Sequence, residues 1–377
     1  MFVSALGIDG FSNLFRKLRG KSVEKPIMPL PIVAIFRGSI DTVLNALVLG
    51  GISFIFLFHA FSSFNGTPLL PDWFDALIYK NIYWWGLDLI ADGLVLIYIA
   101  GTWYLLATII SGKSLFMENI ARAALLVELV VSWNVWGHHL LSDQSQPNLM
   151  KIVSGEVVTA FELVTMGIAI FITLFTLWQA RPLKMTPPLK FLLGGILGFS
   201  LGVPAGIIQA DLGMNRILHN TQWVVGAHAH MLLLVGLGMT LYAALYALFP
   251  MLTNDVKLKS NSLTNFHFWA HLIGGIGMSM TMGFAGMNGM LRRSIYPGDK
   301  TFQTEMIVAA FFGSLMILAY LAMMYNIISS IGIKGLIEIF VKLPKGMKRE
   351  IKPTSLGPRS MRRPHTEEPR KRGQATF

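Results

Sequence analysis

Long apolar stretches constrain the fold of this chain more than any other feature of its sequence. A transmembrane helix needs roughly 20 mostly apolar residues, and eight stretches meet that requirement. They lie at about 40–62, 83–110, 120–142, 153–180, 189–210, 222–250, 264–290 and 304–329. Because 53% of the residues are hydrophobic and only 14% are charged, we predict an all-α, polytopic transmembrane helix bundle with about eight spans.

The segments outside the bundle are basic. Residues 1–38 form a basic N-terminal segment, residues 39–330 the bundle, residues 331–343 an interfacial amphipathic helix, and residues 344–377 a disordered Pro- and Arg-rich tail. The net charge of +11 is concentrated at both ends, so the positive-inside rule predicts two cytoplasmic termini. We expect a prokaryotic plasma-membrane protein whose tail is a solvated flank, rather than a nucleic-acid-binding arm.

His228 and His230 stand within the apolar run QWVVGAHAHMLLLVG. Side chains two positions apart on a helix point about 200° from one another, so one helix can present an imidazole to each of two groups. A histidine inside a membrane span is costly unless it is paired, hydrated or ligating. The alternative is that both histidines have a structural role and form hydrogen bonds to neighbouring helices.

Other ionisable residues of the spans are expected at the same depth. If alternate spans run inward and outward, four helices bring such groups to roughly the outer third of the membrane. The residues are Asp88, Asp92, Glu128, His138, His139, Glu162, His228 and His230. Ionisable groups distributed by chance would not lie at the same depth in the membrane, so a site that binds a metal or transfers protons is favoured.

His138 and His139 differ by about 100° in direction, so both can reach one ion near a helix end. Asp88 and Asp92 could supply oxygen ligands to that ion. Imidazole with carboxylate suits iron best among the redox metals, with zinc and manganese as alternatives and copper disfavoured. Asp88 could instead be a proton relay, or a buried carboxylate hydrogen-bonded to a tryptophan of the preceding YWW. Because the chain has no cysteine, thiolate ligands and CxxCH haem attachment are excluded.

The string HNTQWVVGAHAH resembles the His-x-His signature of the catalytic subunit of the haem-copper oxidase superfamily, which includes cytochrome oxidases and nitric oxide reductases. The resemblance covers most of the chain and implies helices five to twelve of that subunit's fold. It implies two haems of undetermined type. His228 would ligate the catalytic haem, and His230 the low-spin haem that transfers electrons.

Two further strings carry the same resemblance. VWGHHLL resembles the family's pair of ligands to the non-haem metal, which implies that role for His138 and His139. The segment that ends in GMNGMLRRSIYPG is similar to the eleventh helix and the loop after it. The haem propionates would then contact Arg292, Arg293, His219 and Asn220, although the interval from His219 to His228 is one residue longer than the family pattern.

The departures from the family pattern bear on the substrate. YWWGLDLIADG falls where oxygen-reducing members have Gly-His-Pro-x-Val-Tyr, so Asp88 replaces the third metal-binding histidine and Asp92 the tyrosine needed for splitting O2. The segment is closer to the reductase pattern His-Leu-x-x-Glu-Gly, in which a carboxylate at the position of Asp92 ligates non-haem iron. TAFELVT around Glu162 resembles the Ala-Leu-Glu of reductases, where the carboxylate helps to deliver protons. Tyr98 lies too deep to replace the tyrosine.

These departures favour nitric oxide reduction, with Asp92 and Glu162 as catalytic carboxylates. Reduction of O2 by a terminal oxidase is the alternative within the superfamily. A further alternative is a non-catalytic relative, in which the buried carboxylates form a proton or ion path.

The first span, PLPIVAIFRGSIDTVLNALVLGGISF, resembles the fifth helix of the family. We therefore expect a separate chain that supplies the first four helices and the second ligand of the low-spin haem. A degenerate relative with fewer haems is the alternative. Other respiratory subunits and an electron donor are expected partners. His59 could substitute as a haem ligand, but we favour an interfacial histidine.

Overall fold

The computed structural model describes residues 6–24, 28–67, 70, 74–142, 145–294 and 300–341. The predicted tail at 344–377 lies outside the described residues. The described part is helical, and its one departure from helix and loop is an isolated antiparallel bridge between Thr221 and Leu291. The predicted all-α transmembrane fold is confirmed.

Ten helical elements follow one another along the described chain. They are α1 (Ile8–Leu18), α2 (Leu30–Phe64), α3 (Ala76–Ser111), α4 (Glu118–Ser132), α5 (Asn148–Trp178), α6 (Pro187–Ile208), α7 (Leu212–Leu218), α8 (Val224–Leu252), α9 (Asn261–Met287) and α10 (Gln303–Val341). A 3-10 turn at Trp136–Leu140 extends α4, and α10 bends at Gly332.

Seven helices of the described chain are long and apolar enough to cross a membrane, namely α2 to α6, α8 and α10, with α4 counted together with its 3-10 turn. The predicted span at 264–290 corresponds to α9, which has 27 residues. This helix is not among the seven because its mean hydropathy is too low, since its sequence mixes His, Ser, Thr and Asn with apolar residues. The prediction of about eight spans is therefore approximate.

Polar residues at the helix starts explain several boundaries. Asp75 precedes α3, and its side chain accepts hydrogen bonds from the backbone N–H groups of Leu77 and Ile78. Ser260 accepts from Leu263 at the start of α9 in the same way. These caps satisfy amide groups that have no partner within the first turn.

Three spans contain π-helical segments, at Ala91–Ile97 in α3, Lys151–Val158 in α5 and Val224–Leu237 in α8. A π-helix bonds each N–H to the carbonyl five residues back, which rotates the following side chains relative to an α-helix. Such segments are rare and occur frequently at functional sites. All three contain or adjoin the residues that line the central cavity described below.

Glycines set the close packing of α8 against its neighbours. A Cβ added to Gly198 of α6 would overlap the backbone of Gly236 in α8, and one added to Gly226 of α8 would overlap Gly283 in α9. Because lipid supplies little hydrophobic drive for helix association, close backbone approach at small residues stabilises such contacts. Helix α8 thus lies between α6 and α9 and holds its histidines at a fixed position.

Replacing Gly198 by alanine is expected to lower stability by about 1–3 kcal/mol, because the methyl group must displace α8. The measurement is the thermal unfolding midpoint of the protein in detergent. Gly167→Ala is the matched control, since its Cβ would meet no atom within 4 Å. Equal midpoints for the two variants would contradict the proposed α6–α8 contact.

Candidate functional site

A cavity of about 390 Å³ lies among α3, α5, α6, α8 and the 3-10 turn after α4. Its volume is within the range of small-molecule and cofactor sites. The polar and aromatic side chains that line it include Trp84, Asp88, His138, His139, Thr159, Glu162, His219, His228, Arg292 and Arg293. The cavity therefore brings together most of the residues that the sequence singled out.

Three potential metal ligands converge at one wall of the cavity. Asp88, His138 and His139 each offer a ligand atom, and these atoms all lie within 4.8 Å of one another. His139 Nε2 is 2.9 Å from Asp88 Oδ1, whereas Asp88 Oδ2 is buried without a hydrogen-bond partner. Two imidazoles and one carboxylate form a donor set that suits iron, zinc or manganese. The residues present fit a non-haem metal ion.

Neighbouring side chains fix both imidazoles of this cluster. Trp84 lies one turn before Asp88 and stacks on His139, with ring centroids 3.9 Å apart and planes 12° from parallel. His138 Nδ1 is 3.2 Å from Thr159 Oγ1. Partners of this kind orient metal-binding histidines.

The tryptophans do not hydrogen-bond the Asp88 carboxylate. Trp84 stacks on His139, and Trp85 donates its indole N–H to the carbonyl of Trp133 at 3.1 Å. The contact of Asp88 is instead with His139. The geometry thus favours a ligand or proton-relay role for this carboxylate.

His228 is oriented by the backbone of α6. Its Nδ1 is 2.9 Å from the carbonyl oxygen of Gly202, and a carbonyl oxygen only accepts hydrogen bonds. Nδ1 therefore carries the proton, and Nε2 keeps a lone pair that is free to bind a metal. The ring lines the cavity, so the side chain could bind a haem iron there.

His230 lies on a different side of α8 from His228. It does not line the cavity, and its Nδ1 is buried without a hydrogen-bond partner among the described residues. An unpartnered ring nitrogen inside a span fits a side chain that ligates a group of its own. One helix thus directs two imidazoles toward two separate places.

Two arginines line the cavity in the loop after α9. The Arg292 backbone N–H donates to the carbonyl of Asn220 at 3.0 Å, and its guanidinium donates to Asn220 Oδ1 at 3.3 Å. Within the described residues, neither Arg292 nor Arg293 forms a salt bridge with an acid. Burial, and secondly the charge of Arg293, lower the pKa of Arg292. Two adjacent guanidinium groups that have no acidic partner among the described residues can pair with the carboxylates of an anionic cofactor.

His219 lies between these arginines and the metal-ligand cluster. Its ring centroid is 6.1 Å from that of His139. Burial is the main cause that lowers the pKa of His219 to about 3, and His139 and Arg292 contribute. Burial thus favours the neutral form of His219.

The predicted carboxylates differ in position. Glu162 lines the cavity, and its Oε1 is buried without a partner. Glu128 lies outside the cavity lining and accepts a hydrogen bond from the Thr165 hydroxyl. The side chain of Asp92 lies outside the described residues.

Two residues considered as substitutes have other contacts. The Tyr98 hydroxyl is 2.9 Å from Ser39 Oγ and does not line the cavity. His59 Nδ1 accepts a hydrogen bond from the backbone N–H of Leu70 at 3.1 Å, as expected for a histidine that holds a loop at the membrane surface.

Sequence reasoning did not identify several residues that shape the site. Trp84 and Thr159 orient the metal-ligand histidines, and Gly202 sets the tautomer of His228. Two further buried histidines, which lie outside the cavity lining, were not singled out either. His267 lies 2.9 Å from the Tyr246 hydroxyl, and His271 lies 2.9 Å from the carbonyl of Leu234. Their spacing of four residues on α9 was the available signal.

Comparison with known proteins gives relatives over most of the chain. The chain is 31% identical over 183 residues to cytochrome c oxidase polypeptide 1 of Halobacterium salinarum, covering 48% of this chain and 30% of that protein. It is 25% identical over 329 residues to cytochrome c oxidase subunit 1 of Thermostichus vulcanus, covering 87% and 58%. It is 27% identical over 264 residues to cytochrome bo(3) ubiquinol oxidase subunit 1 of Buchnera aphidicola, covering 70% and 38%.

A solved structure of a heme-copper terminal oxidase dimer has the same fold, with a TM-score of 0.66 and 18% sequence identity. The match covers 84% of this chain and 58% of that chain. The chain spans between 30% and 58% of the length of the three relatives compared above. The family described as Cytochrome C and Quinol oxidase polypeptide I matches residues 1–331. The predicted superfamily is thereby confirmed, and the chain belongs to the cytochrome c and quinol oxidase polypeptide I family.

Proposed function

We propose that the chain carries the catalytic centre of a respiratory oxidoreductase that reduces a small diatomic gas at a haem and a non-haem metal. The observation that carries this proposal is the shared cavity. On one side it holds the cluster of Asp88, His138 and His139, and on another side it holds His228 with a free Nε2. Two metal-binding elements that line one cavity can act on the same small molecule.

The chain's own residues would hold the two groups as follows. His228 would bind the catalytic haem, and the Asp88 cluster would bind the non-haem metal, with iron favoured over copper. When bound, the haem and the metal supply electrons and binding positions for the gas. Arg292 and Arg293 would pair with the haem carboxylates.

Nitric oxide is the favoured substrate. The coupling of two NO molecules to N2O and water consumes two electrons and two protons, and it needs no tyrosyl radical. Among the described residues, the cavity lining contains a carboxylate at the metal cluster and no tyrosine. The superfamily resemblance associates that combination with reductases rather than oxidases.

Reduction of O2 is the second candidate. The observation that favours it is that the compared relatives are named as cytochrome c or ubiquinol oxidases. Under this alternative, a group other than a cavity tyrosine must supply the additional electron for splitting O2.

Glu162 is proposed to deliver protons to the cavity. Its carboxyl group lines the cavity, and Oε1 has no partner. One turn further along α5, the Thr165 hydroxyl contacts both the carbonyl of Glu162 and the carboxyl of Glu128. The contact with Glu162 is through its backbone carbonyl, so the Glu162 carboxyl itself is the proposed proton donor, and Glu128 supplies a second carboxyl group on the neighbouring helix.

We also propose an orientation and a set of partners. Lys113, Arg122, Lys184 and Lys257 lie at helix ends on the side of α1, so we assign that side to the cytoplasm of a prokaryote and expect both termini there. The unpartnered Nδ1 of His230 supports a second, low-spin haem. Its second ligand would come from the first four helices of the superfamily fold, which the resemblance does not assign to this segment. Other respiratory subunits and an electron donor complete the assembly.

His228→Ala is expected to abolish the high-spin haem signal while part of the low-spin signal remains, because His230 lies on another side of α8. The measurement is the pyridine haemochrome content and the optical spectrum of protein co-expressed with its genomic neighbours. His59→Ala serves as the control, since that histidine contacts a surface loop. Equal loss of both signals in His228→Ala would show that the division of ligands is wrong.

Asp88→Asn is expected to weaken retention of the non-haem metal by about 10–100-fold, because an amide is a poorer ligand than a carboxylate and loses the charge. Elemental analysis of the purified protein measures the effect. Asp41→Asn is the matched control, as Asp41 is also buried in a span but hydrogen-bonds Trp133 and Ser132 instead. Unchanged metal content in Asp88→Asn would contradict ligation by this residue.

Gas-electrode traces distinguish the two substrates. We expect NO consumption to exceed O2 consumption, and Glu162→Gln to reduce turnover by about 10²-fold or more because the amide carries no transferable proton. Glu305→Gln, at the first turn of α10, controls for loss of a carboxylate outside the cavity. Faster turnover of O2 would reverse the substrate assignment, and full activity of Glu162→Gln would exclude its role in proton delivery.

A further inference from the structure

Helix α1 turns its apolar residues away from the protein. Ile8, Phe11, Phe15 and Leu18 follow a spacing of three and four residues, so they lie on one face. Leu18 is 81% exposed and Phe15 is 58% exposed. An apolar helix face that points outward is costly in water and favourable at a membrane.

The opposite face of α1 packs against two spans through small and polar residues. Gly7 lies against Arg37 and Val33 of α2, and Gly10 lies against Arg122 of α4, in each case so closely that a Cβ would overlap. These contacts hold α1 across the first turns of both spans.

Hydrogen bonds fix the position of α1 further. The Asn13 side chain donates to the carbonyl of Glu24 at 2.8 Å and to Asn119 Oδ1 at 3.4 Å, and its own oxygen accepts from the Glu24 backbone N–H. Because Asn119 is the second residue of α4, α1 lies at the level where two membrane-spanning helices begin. That level corresponds to the headgroup region of a bilayer.

A basic pocket adjoins the apolar face. It has a volume of about 460 Å³ and is lined by Ser12, Phe15, Arg16, Arg19 and Lys21. Arg16 is engaged with Glu24 and with the carbonyl of Ser22. Arg19 and Lys21 are exposed and form no salt bridge with another described residue. Two free cations beside exposed Phe15 and Leu18 complement a molecule with an anionic head and an apolar chain.

We propose that α1 and this basic pocket form a binding site for an anionic phospholipid. Arg19 and Lys21 contact the headgroup phosphate, and Phe15 and Leu18 contact the upper part of the acyl chains. We propose a lipid rather than a free phosphate as the ligand, because a free phosphate would leave the apolar face of α1 exposed. This site is independent of the proposed gas reduction.

The experiment titrates the full chain, purified in detergent, with dioleoylphosphatidylglycerol or dioleoylphosphatidylcholine and counts bound lipids by native mass spectrometry. We expect the tightest site to prefer phosphatidylglycerol. Arg19→Gln combined with Lys21→Gln is expected to weaken that site about 25-fold, or five-fold for each charge. Lys257→Gln combined with Lys259→Gln, on the same side of the bundle and also exposed, is expected to leave it unchanged.

Further outcomes distinguish the lipid from other occupants. Leu18→Ser is expected to weaken binding of both lipids, because it removes apolar contact without a change of charge. Unchanged phosphatidylglycerol binding in the Arg19 and Lys21 variant would overturn the proposal. Displacement of the lipid by inorganic phosphate would point to an anion site and would overturn it as well. If the Arg19 and Lys21 variant lost a co-purifying protein subunit but retained lipid binding, the surface would bind a protein rather than a lipid, and the proposal would be overturned.

Discussion

The cost of placing imidazoles and carboxylates inside membrane-spanning helices is the constraint on which the rest of this structure depends. Such groups are tolerated where they bind one another, a metal or a cofactor. Asp88, His138 and His139 converge for this reason, and Trp84 and Thr159 hold the two imidazoles in place. Asp88 Oδ2 keeps no protein partner, and this is where we propose that a metal binds.

Two features of the helix bundle hold these polar side chains in position. Glycines such as Gly198 and Gly226 allow α8 to approach its neighbours closely enough to fix the direction of its histidines. The π-helical segments of α3, α5 and α8 then change the direction of side chains near the cavity. Rigid spans with local irregularity are the arrangement that an organised metal site requires.

We interpret the carboxylate at position 88 as a departure from the oxygen-reducing pattern that the family resemblance implies. A set of two histidines and one aspartate binds iron in preference to copper, and the cavity has no tyrosine in its described lining. Membership of the cytochrome c and quinol oxidase polypeptide I family is consistent with either gas, because a fold does not determine the substrate. Our substrate proposal therefore rests on the proposed metal ligands and proton donor rather than on the fold.

The sequence by itself determined the all-α transmembrane class and indicated most of the ionisable side chains that line the cavity, because apolar length and buried ionisable residues have few physical solutions. It also separated His228 from His230 by helical geometry. Only the tertiary structure decided that Glu128 lies outside the cavity, that Asp88 contacts His139 rather than a tryptophan, and that Gly202 sets the tautomer of His228. These facts depend on contacts between distant helices and on π-helical turns, neither of which leaves a periodic signal in the sequence.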